Sequence, residues 1–167
     1  MLALLEANQV QIQRKLHLIP AVAVDAPVSV FKELAKSNWV KRIWHNAPVQ
    51  ACLNQKIFCM GGRKVQELGY TGKGVVVAVL DTGIFPHEDL TTPGNRILAW
   101  HDLIQHQDSP YDDNGHGTHV AGIIAGNGVN SAGEYKGMAP EARLVGIKVL
   151  DKNGAGRISD VIAGIEW

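Results

Sequence analysis

The sequence predicts an α/β protein, a parallel sheet with flanking helices that is incomplete in this chain, preceded by a small α+β segment. Three stretches carry that prediction. Val75–Leu80 is a run of six apolar residues, four of them Val, bounded by Gly72, Gly74 and Gly83 and ended by Asp81; such a run fits a strand buried on both faces. His116–Gly126, H-G-T-H-V-A-G-I-I-A-G, fits a helix, and Ala142–Leu150, A-R-L-V-G-I-K-V-L, fits a second strand. Strand, helix, strand, helix is the order of a right-handed parallel arrangement, and two strands do not finish a sheet.

The chain has 167 residues, 46% hydrophobic and 19% charged, enough for one ordinary core and an appendage. Sixteen basic and sixteen acidic side chains give a formal net charge of zero with no block of like charge. That balance argues against nucleic acid or an anionic membrane as partner. No apolar run reaches the roughly 18 to 20 residues of a membrane span. The start as written, M-L-A-L-L-E-A-N-Q-V, has neither a basic region nor a small-residue cleavage site, so no export signal is expected in this stretch, and the expectation stays open between an intracellular and a secreted protein. Cys52 and Cys59 are the only cysteines, too few for a disulfide framework, and are read as two unrelated thiols.

Taken in order, residues 1–8 suit the end of a helix. Val10–Val24 holds two β-leaning runs broken by Pro20. Pro27 suits a helix start, and Val30, Phe31, Leu34 and Ala35 recur at helical spacing until Ser37-Asn38. Trp39–Leu53 resumes in strand style, which makes a β-α-β unit of about fifty residues, small for an independent core. The texture then changes: Gly61-Gly62 precedes a short helical patch, R-K-V-Q-E-L-G-Y, closed by Gly69. The expected organisation is therefore residues 1–53, a junction over 54–68, and a main domain over 69–167. After the first buried strand, residues 86–113 are turn-rich around a short strand at Arg96–Trp100. Asp113 and Asn114 are candidate caps of the His116 helix, whose three glycines in eleven positions would weaken it by nearly 1 kcal/mol each in isolation. Close packing on a sheet is the expected compensation. Ser159 is the candidate cap of a last helix over Asp160–Trp167.

Asp81 ends its strand at the carboxyl edge, where loops diverge and functional groups of open α/β sheets collect. A D-T-G after apolar residues also fits half of an aspartic-protease dyad, but no second D-T-G or D-S-G occurs. H-G-T-H would place His116 and His119 on one helix face as a metal pair, yet H-E-x-x-H is lacking and no third ligand is marked.

Together, D-T-G-I-F-P-H-E-D-L at Asp81–Leu90, N-G-H-G-T-H-V-A-G at Asn114–Gly122 and G-M-A-P-E-A-R-L-V-G-I-K-V-L-D-K-N-G-A-G at Gly137–Gly156 closely resemble the subtilisin-like serine proteases, and the resemblance runs almost continuously from Gly69 to Trp167. It implies a serine endopeptidase acting on polypeptide substrates through an Asp-His-Ser triad, with His116 as general base and Asp81 as its orienting carboxylate. His119 is implied to be structural, its neighbours Val120 and Ala121 suiting packing. Gly154, Ala155 and Gly156 resemble the segment that pairs an extended substrate as an added strand; glycine there admits close backbone approach. Asp89 resembles the acidic ligand of the family's tight calcium site, although Asn127–Gly137 departs from the loop that completes it, so no cofactor is expected beyond a possible structural calcium.

The resemblance also marks what is missing. The family's serine nucleophile and oxyanion-hole asparagine follow later motifs that this sequence does not contain. Residues 8–53 resemble the later portion of the inhibitory propeptide without its opening strand, and Trp167 falls in mid-helix. The expectation is an N-terminal piece of a protease, inactive alone, whose own propeptide is a partner and is cleaved between about Leu53 and Gly62. A non-catalytic, protease-derived binding or inhibitory module is the alternative. If the roles are right, a carboxylate oxygen of Asp81 should meet a ring nitrogen of His116 at about 2.6 to 3.2 Å, with His119 pointing elsewhere.

Overall fold

The computed structural model describes Leu5, residues 10–50 and residues 62–167. Cys52, Cys59 and the expected cleavage region lie outside the described residues. The chain forms two compact units, residues up to Pro48 with Arg157–Trp167, and Val49–Gly156.

In the first unit, β1 (Gln11–Leu16) and β2 (Ala21–Asp25) form an antiparallel hairpin, with Gln11 opposite Asp25 and Leu16 opposite Ala21. Exposure alternates along β1, so Ile12, Arg14 and Leu16 turn inward, as a pleated strand with one covered face requires. Helix α1 (Val28–Leu34) follows Pro27 and lays Val30 and Leu34 against Ile12, Val22 and Val24. Of the strand expected over Trp39–Leu53, residues 51–53 lie outside the described ones, and the described part forms β3 (Pro48–Gln50); residues 40–47 carry no regular structure, and Trp39 and Trp44 are exposed. β-Propensity reflects packing on neighbours, and these residues have no adjoining strand among the described ones.

The last helix of the chain, numbered α5 (Ile158–Glu166), belongs to this unit and is tied at both ends. Ser159 is not its cap, as expected from sequence, but a buried residue of the first turn; Asn46 caps it instead, accepting from Ser159 N at 3.1 Å and donating to Ser159 Oγ at 2.9 Å. Arg14 Nε meets Asp160 Oδ1 at 2.5 Å. At the other end Glu166 Oε1 accepts the backbone N–H groups of His17 and Leu18, both at 2.7 Å.

The second unit is built on a parallel sheet in the order β4 (Val76–Asp81), β6 (Arg143–Lys148), β5 (Ile97–Asp102). β4 and β6 run in register from Val76 opposite Arg143 to Asp81 opposite Lys148. Helix α2 (Gly62–Glu67) precedes the sheet and the short α3 (Glu88–Thr91) follows β4. Helix α4 (His116–Ala125) covers one face, and its Ala121 and Ala125 join Val79, Ile84, Leu90, Ile97, Ala142 and Leu144 in the core. Small residues on α4 allow this close approach. β4 is not buried on both faces along its length: Val75 and Val76 are half exposed, and burial is complete only toward Val79 and Asp81. Val49 and Gln50 of β3 stand in a two-stranded sheet with β7 (Ala155–Arg157).

Candidate active site

The carboxyl end of β4 and the amino end of α4 bring Asp81 and His116 together. His116 Nδ1 lies 2.7 Å from Asp81 Oδ1, and the two side chains are only 9% and 11% exposed. The same Oδ1 accepts Thr82 N–H at 2.6 Å. An ionised carboxylate can only accept, so the hydrogen between them sits on Nδ1 and the Nε2 lone pair is the basic one.

The approach depends on two glycines. A Cβ on Gly117 would stand 2.1 Å from the Gly83 carbonyl oxygen, and one on Gly83 would stand 2.1 Å from that of Tyr111. Gly83 also has φ 131°, a conformation side chains rarely adopt. The other glycine of α4 differs: a Cβ on Gly122 would meet nothing within 4 Å. Close sheet packing therefore accounts for Gly117 but not for every glycine in α4.

The loop before α4 is organised by Asp112, a residue that the sequence motifs do not single out. Its carboxylate accepts from Gly115 N (2.8 Å), Asn114 N (3.1 Å), Thr118 N (2.8 Å), Thr118 Oγ1 (2.6 Å) and Thr82 Oγ1 (2.8 Å). Thr82 Oγ1 in turn accepts Gly117 N–H at 2.9 Å. Asp112 thus caps the helix from beyond the cap position, linking it to the residue after Asp81. Burial alone would raise the Asp112 pKa, but these hydrogen bonds, with the Thr118 hydroxyl and the Gly115 amide foremost, hold it below the ordinary value. Of the two predicted caps, Asn114 accepts His116 N–H at 3.2 Å and Asp113 instead pairs with Lys148. The available sequence signal is the turn-forming D-D-N-G run just before the helix, in which Asp side chains bond backbone amides a few residues on.

Asp102, at the end of β5, organises the loop that follows it in a similar way. It accepts from Ile104 N, Gln105 N, Gln107 N and the Tyr111 hydroxyl at 2.8 to 3.2 Å. Its burial opposes ionisation, yet the backbone donors prevail and its pKa is lowered; burial and Asp102 together push the Tyr111 phenol up.

His119 does not share Asp81. It is exposed, and with Thr118, Gly122, Phe85, Tyr135 and Met138 it borders a groove of about 860 Å³. Its neighbours Val120 and Ala121 pack on the core as expected, whereas His119 itself, read from sequence as structural, has an exposed side chain.

Gly154–Gly156 follows a turn set by Asp151, whose carboxylate accepts Ala155 N–H at 3.0 Å and Asn153 N–H at 2.8 Å. Gly154 has φ 72°. A Cβ on Gly156 would stand 2.3 Å from Val149 O, so glycine is required there by the chain's own backbone.

The atoms around Asp89 are hydrogen-bond donors more than cation ligands. Asp89 Oδ1 accepts Asn130 N–H at 2.9 Å, and Asp89 O accepts Asn127 N–H at 3.1 Å and the Arg96 guanidinium. Calcium needs six to eight oxygens turned toward one point, whereas here amide and guanidinium hydrogens face the acidic residue. Among the described residues no group of three His, Cys, Asp or Glu side chains surrounds a metal position. The residues present do not fit the ion.

The strand-end carboxylate paired with a helix-start imidazole on a parallel sheet defines a subtilisin-like α/β fold. Residues 72–167 match the model of the subtilase family, peptidase S8, and the chain belongs to that family. It is 43% identical over 143 residues to serine protease AprX of Bacillus subtilis (strain 168), covering 84% of this chain and 32% of that protein. It is 38% identical over 164 residues to the thermostable alkaline protease of Halalkalibacterium halodurans, covering 97% and 44% respectively. With subtilisin Savinase of Lederbergia lenta it shares 46% identity over 99 residues, 59% of this chain and 34% of the relative. The chain thus spans less than half the length of these relatives.

Proposed function

We propose that Asp81 and His116 are two members of an Asp-His-Ser triad in a serine endopeptidase of the subtilase family, and that residues 1–53 are its propeptide-like segment. The single observation that carries the reading is the 2.7 Å contact between His116 Nδ1 and Asp81 Oδ1 in a nearly dry setting. Asp81 fixes the tautomer, Nε2 takes the proton from a serine hydroxyl as it attacks the peptide carbonyl, and the imidazolium that forms is stabilised by the carboxylate. The proton is then handed to the leaving amine and an acyl-enzyme remains for water to cleave. The nucleophile comes from sequence beyond the motifs of this chain, so the 167 residues are inactive by themselves.

The substrate is a polypeptide bound in extended form along Gly154–Gly156. What supports this is the sheet that Val49 and Gln50 already make with the strand beginning at Ala155: the backbone edge accepts an added strand. Calcium has no role at Asp89. No described helix is long and apolar enough to cross a membrane.

The test has two arms. The purified chain, given an unstructured protein substrate, is expected to show no turnover that His116→Ala abolishes; such turnover would overturn the missing-nucleophile account. The coding DNA beyond Trp167 is expected to read into a G-T-S-M-A-like motif, and a longer product carrying it should lose peptidase activity by several orders of magnitude on His116→Ala. Undiminished activity in that variant would sink the assignment of the base.

A further inference from the structure

The second unit contains a lysine with no exposed surface at all. Lys148, at the end of the central strand β6, has 0% side-chain exposure between the buried Ile147 and Val149. Its Nζ donates to the carbonyl oxygen of Thr82 and to Asp113 Oδ1, the latter at 2.7 Å, and lies 5.1 Å from the centroid of the Tyr111 ring. In register it stands opposite Asp81 on one side and Asp102 on the other.

Three facts set this residue apart from an ordinary core position. First, an ammonium is expensive to bury, and well-packed apolar residues in place of a buried ion pair are often neutral or better for stability, so packing alone does not call for Lys in this strand. Second, its partners belong to two different pieces of backbone. Thr82 follows Asp81 directly, and its amide already binds Asp81 Oδ1. Asp113 is three residues before His116, in the loop that sets the start of α4. Third, the partners complement the ammonium: a carbonyl, a carboxylate and an aromatic face take up a cation with three donors.

We infer that Lys148 is a positioning residue, tying the strand end that carries Asp81 and the loop that carries His116 to one buried cation, so that His116 Nδ1 is held on the Asp81 carboxylate. The inference rests on the reading of Asp81 and His116 as a proton-transfer pair. Without the cation, Asp113 has no counter-charge, the loop over residues 111–115 gains freedom relative to Thr82, and the imidazole shares its time between orientations and tautomers.

The experiment uses the full chain and NMR of the His116 ring, a readout independent of peptidase activity and thus of the triad reading. In the parent chain the Nδ1 proton is expected to be shifted downfield and slow to exchange with solvent. In Lys148→Met, close in volume, and in Lys148→Met/Asp113→Asn, which removes charge and counter-charge together, that proton is expected to exchange at least about tenfold faster, the scale of one lost charge-assisted hydrogen bond. The double variant should recover much of the urea midpoint lost in the single one without recovering the Nδ1 signal; a residue that merely stabilises the fold would recover both. An unchanged Nδ1 proton in the folded double variant overturns the proposal. Should Lys148→Met fail to fold, Asp113→Asn decides, since the Asp113 side chain is 27% exposed: accelerated exchange supports the inference and parent-like exchange refutes it.

Discussion

Gly117 rests against the carbonyl of Gly83 so closely that a methyl group on it would stand 2.1 Å from the oxygen and 3.1 Å from Asp81 Cβ. The helix that starts with His116 is thereby seated on the turn that follows Asp81. The pairing of the two side chains is a consequence of this backbone contact, reinforced by the Thr82 hydroxyl that accepts Gly117 N–H.

Gly117→Ala should therefore be destabilising, although alanine is the better helix former. The neighbour it strikes is backbone, which moves only by shifting α4 off the sheet. A loss of about 1 to 3 kcal/mol is expected from overpacking, outweighing the roughly 1 kcal/mol propensity gain. Urea unfolding measures it, and Gly122→Ala, facing open space, is the control expected to be neutral or stabilising.

Asp112 makes stability depend on acid pH. Its folded pKa lies below the ordinary carboxyl value of 3.8 that the unfolded chain keeps, so the unfolded state binds the proton first and stability falls as pH drops. The contribution is complete above about pH 5, declines through the unfolded value and is lost below the folded one. Asp112→Asn should cost about 1 to 3 kcal/mol at neutral pH by disturbing five donors, with solvent screening keeping the pH-dependent portion toward the lower end. Chemical denaturation between pH 7 and 3 should show a shallower acid slope in the variant, and equal slopes would refute the assignment.

Much of this site was legible because its elements announce themselves locally. The apolar run before Asp81, the small-residue helix after Asn114 and the strand over Arg143–Lys148 each carry their own periodicity, and the structure forms all three within a residue or two. What escaped depends on contacts distant in sequence. Asn46 caps a helix 113 positions away, and no local pattern distinguishes it from any loop asparagine. Lys148 did leave a trace, a charge within the otherwise apolar L-V-G-I-K-V-L, but its meaning required knowing that Thr82 and Asp113 converge on it. The first part of the strand expected over Trp39–Leu53, residues 39–47, is not strand for the complementary reason: aromatic and β-branched composition becomes a strand only where a neighbour offers its backbone.

Asp89 yields a prediction about metal. With Asn130 N–H on its Oδ1 and Arg96 on its carbonyl, its loop is closed by protein donors, so neither added calcium nor a chelator should move the thermal midpoint of the chain. Asp89→Ala should lower that midpoint equally with and without calcium, by about 1 to 2 kcal/mol for the lost charge-assisted hydrogen bond. A calcium-dependent rise that disappears in Asp89→Ala would show that the ion displaces the amide.

Arg96 is the strongest test of how the far end of α4 is held. Its guanidinium donates to the carbonyls of Ala125 (2.6 Å), Pro140 (2.8 Å) and Ala142 (3.1 Å), and also to that of Asp89. One of these is among the unpaired carbonyls of the α4 C-terminus, where the helix dipole also favours a cation. Burial lowers its pKa and nearby Asp89 opposes that change, but a guanidinium starts so high that it stays charged at any working pH. Four acceptors spread over three backbone segments suit a planar fork and exceed the three donors of an ammonium. Arg96→Lys should therefore lose about 1 to 2 kcal/mol, and Arg96→Met, which strands the carbonyls altogether, about 3 to 5 kcal/mol. Hydrogen exchange should localise the damage: the Gly126 amide, which closes α4 onto Gly122 O at 2.8 Å, is expected to lose protection first, while the amides of β6 keep theirs. Uniform loss across the second unit would show that Arg96 supports the whole core and not the helix end.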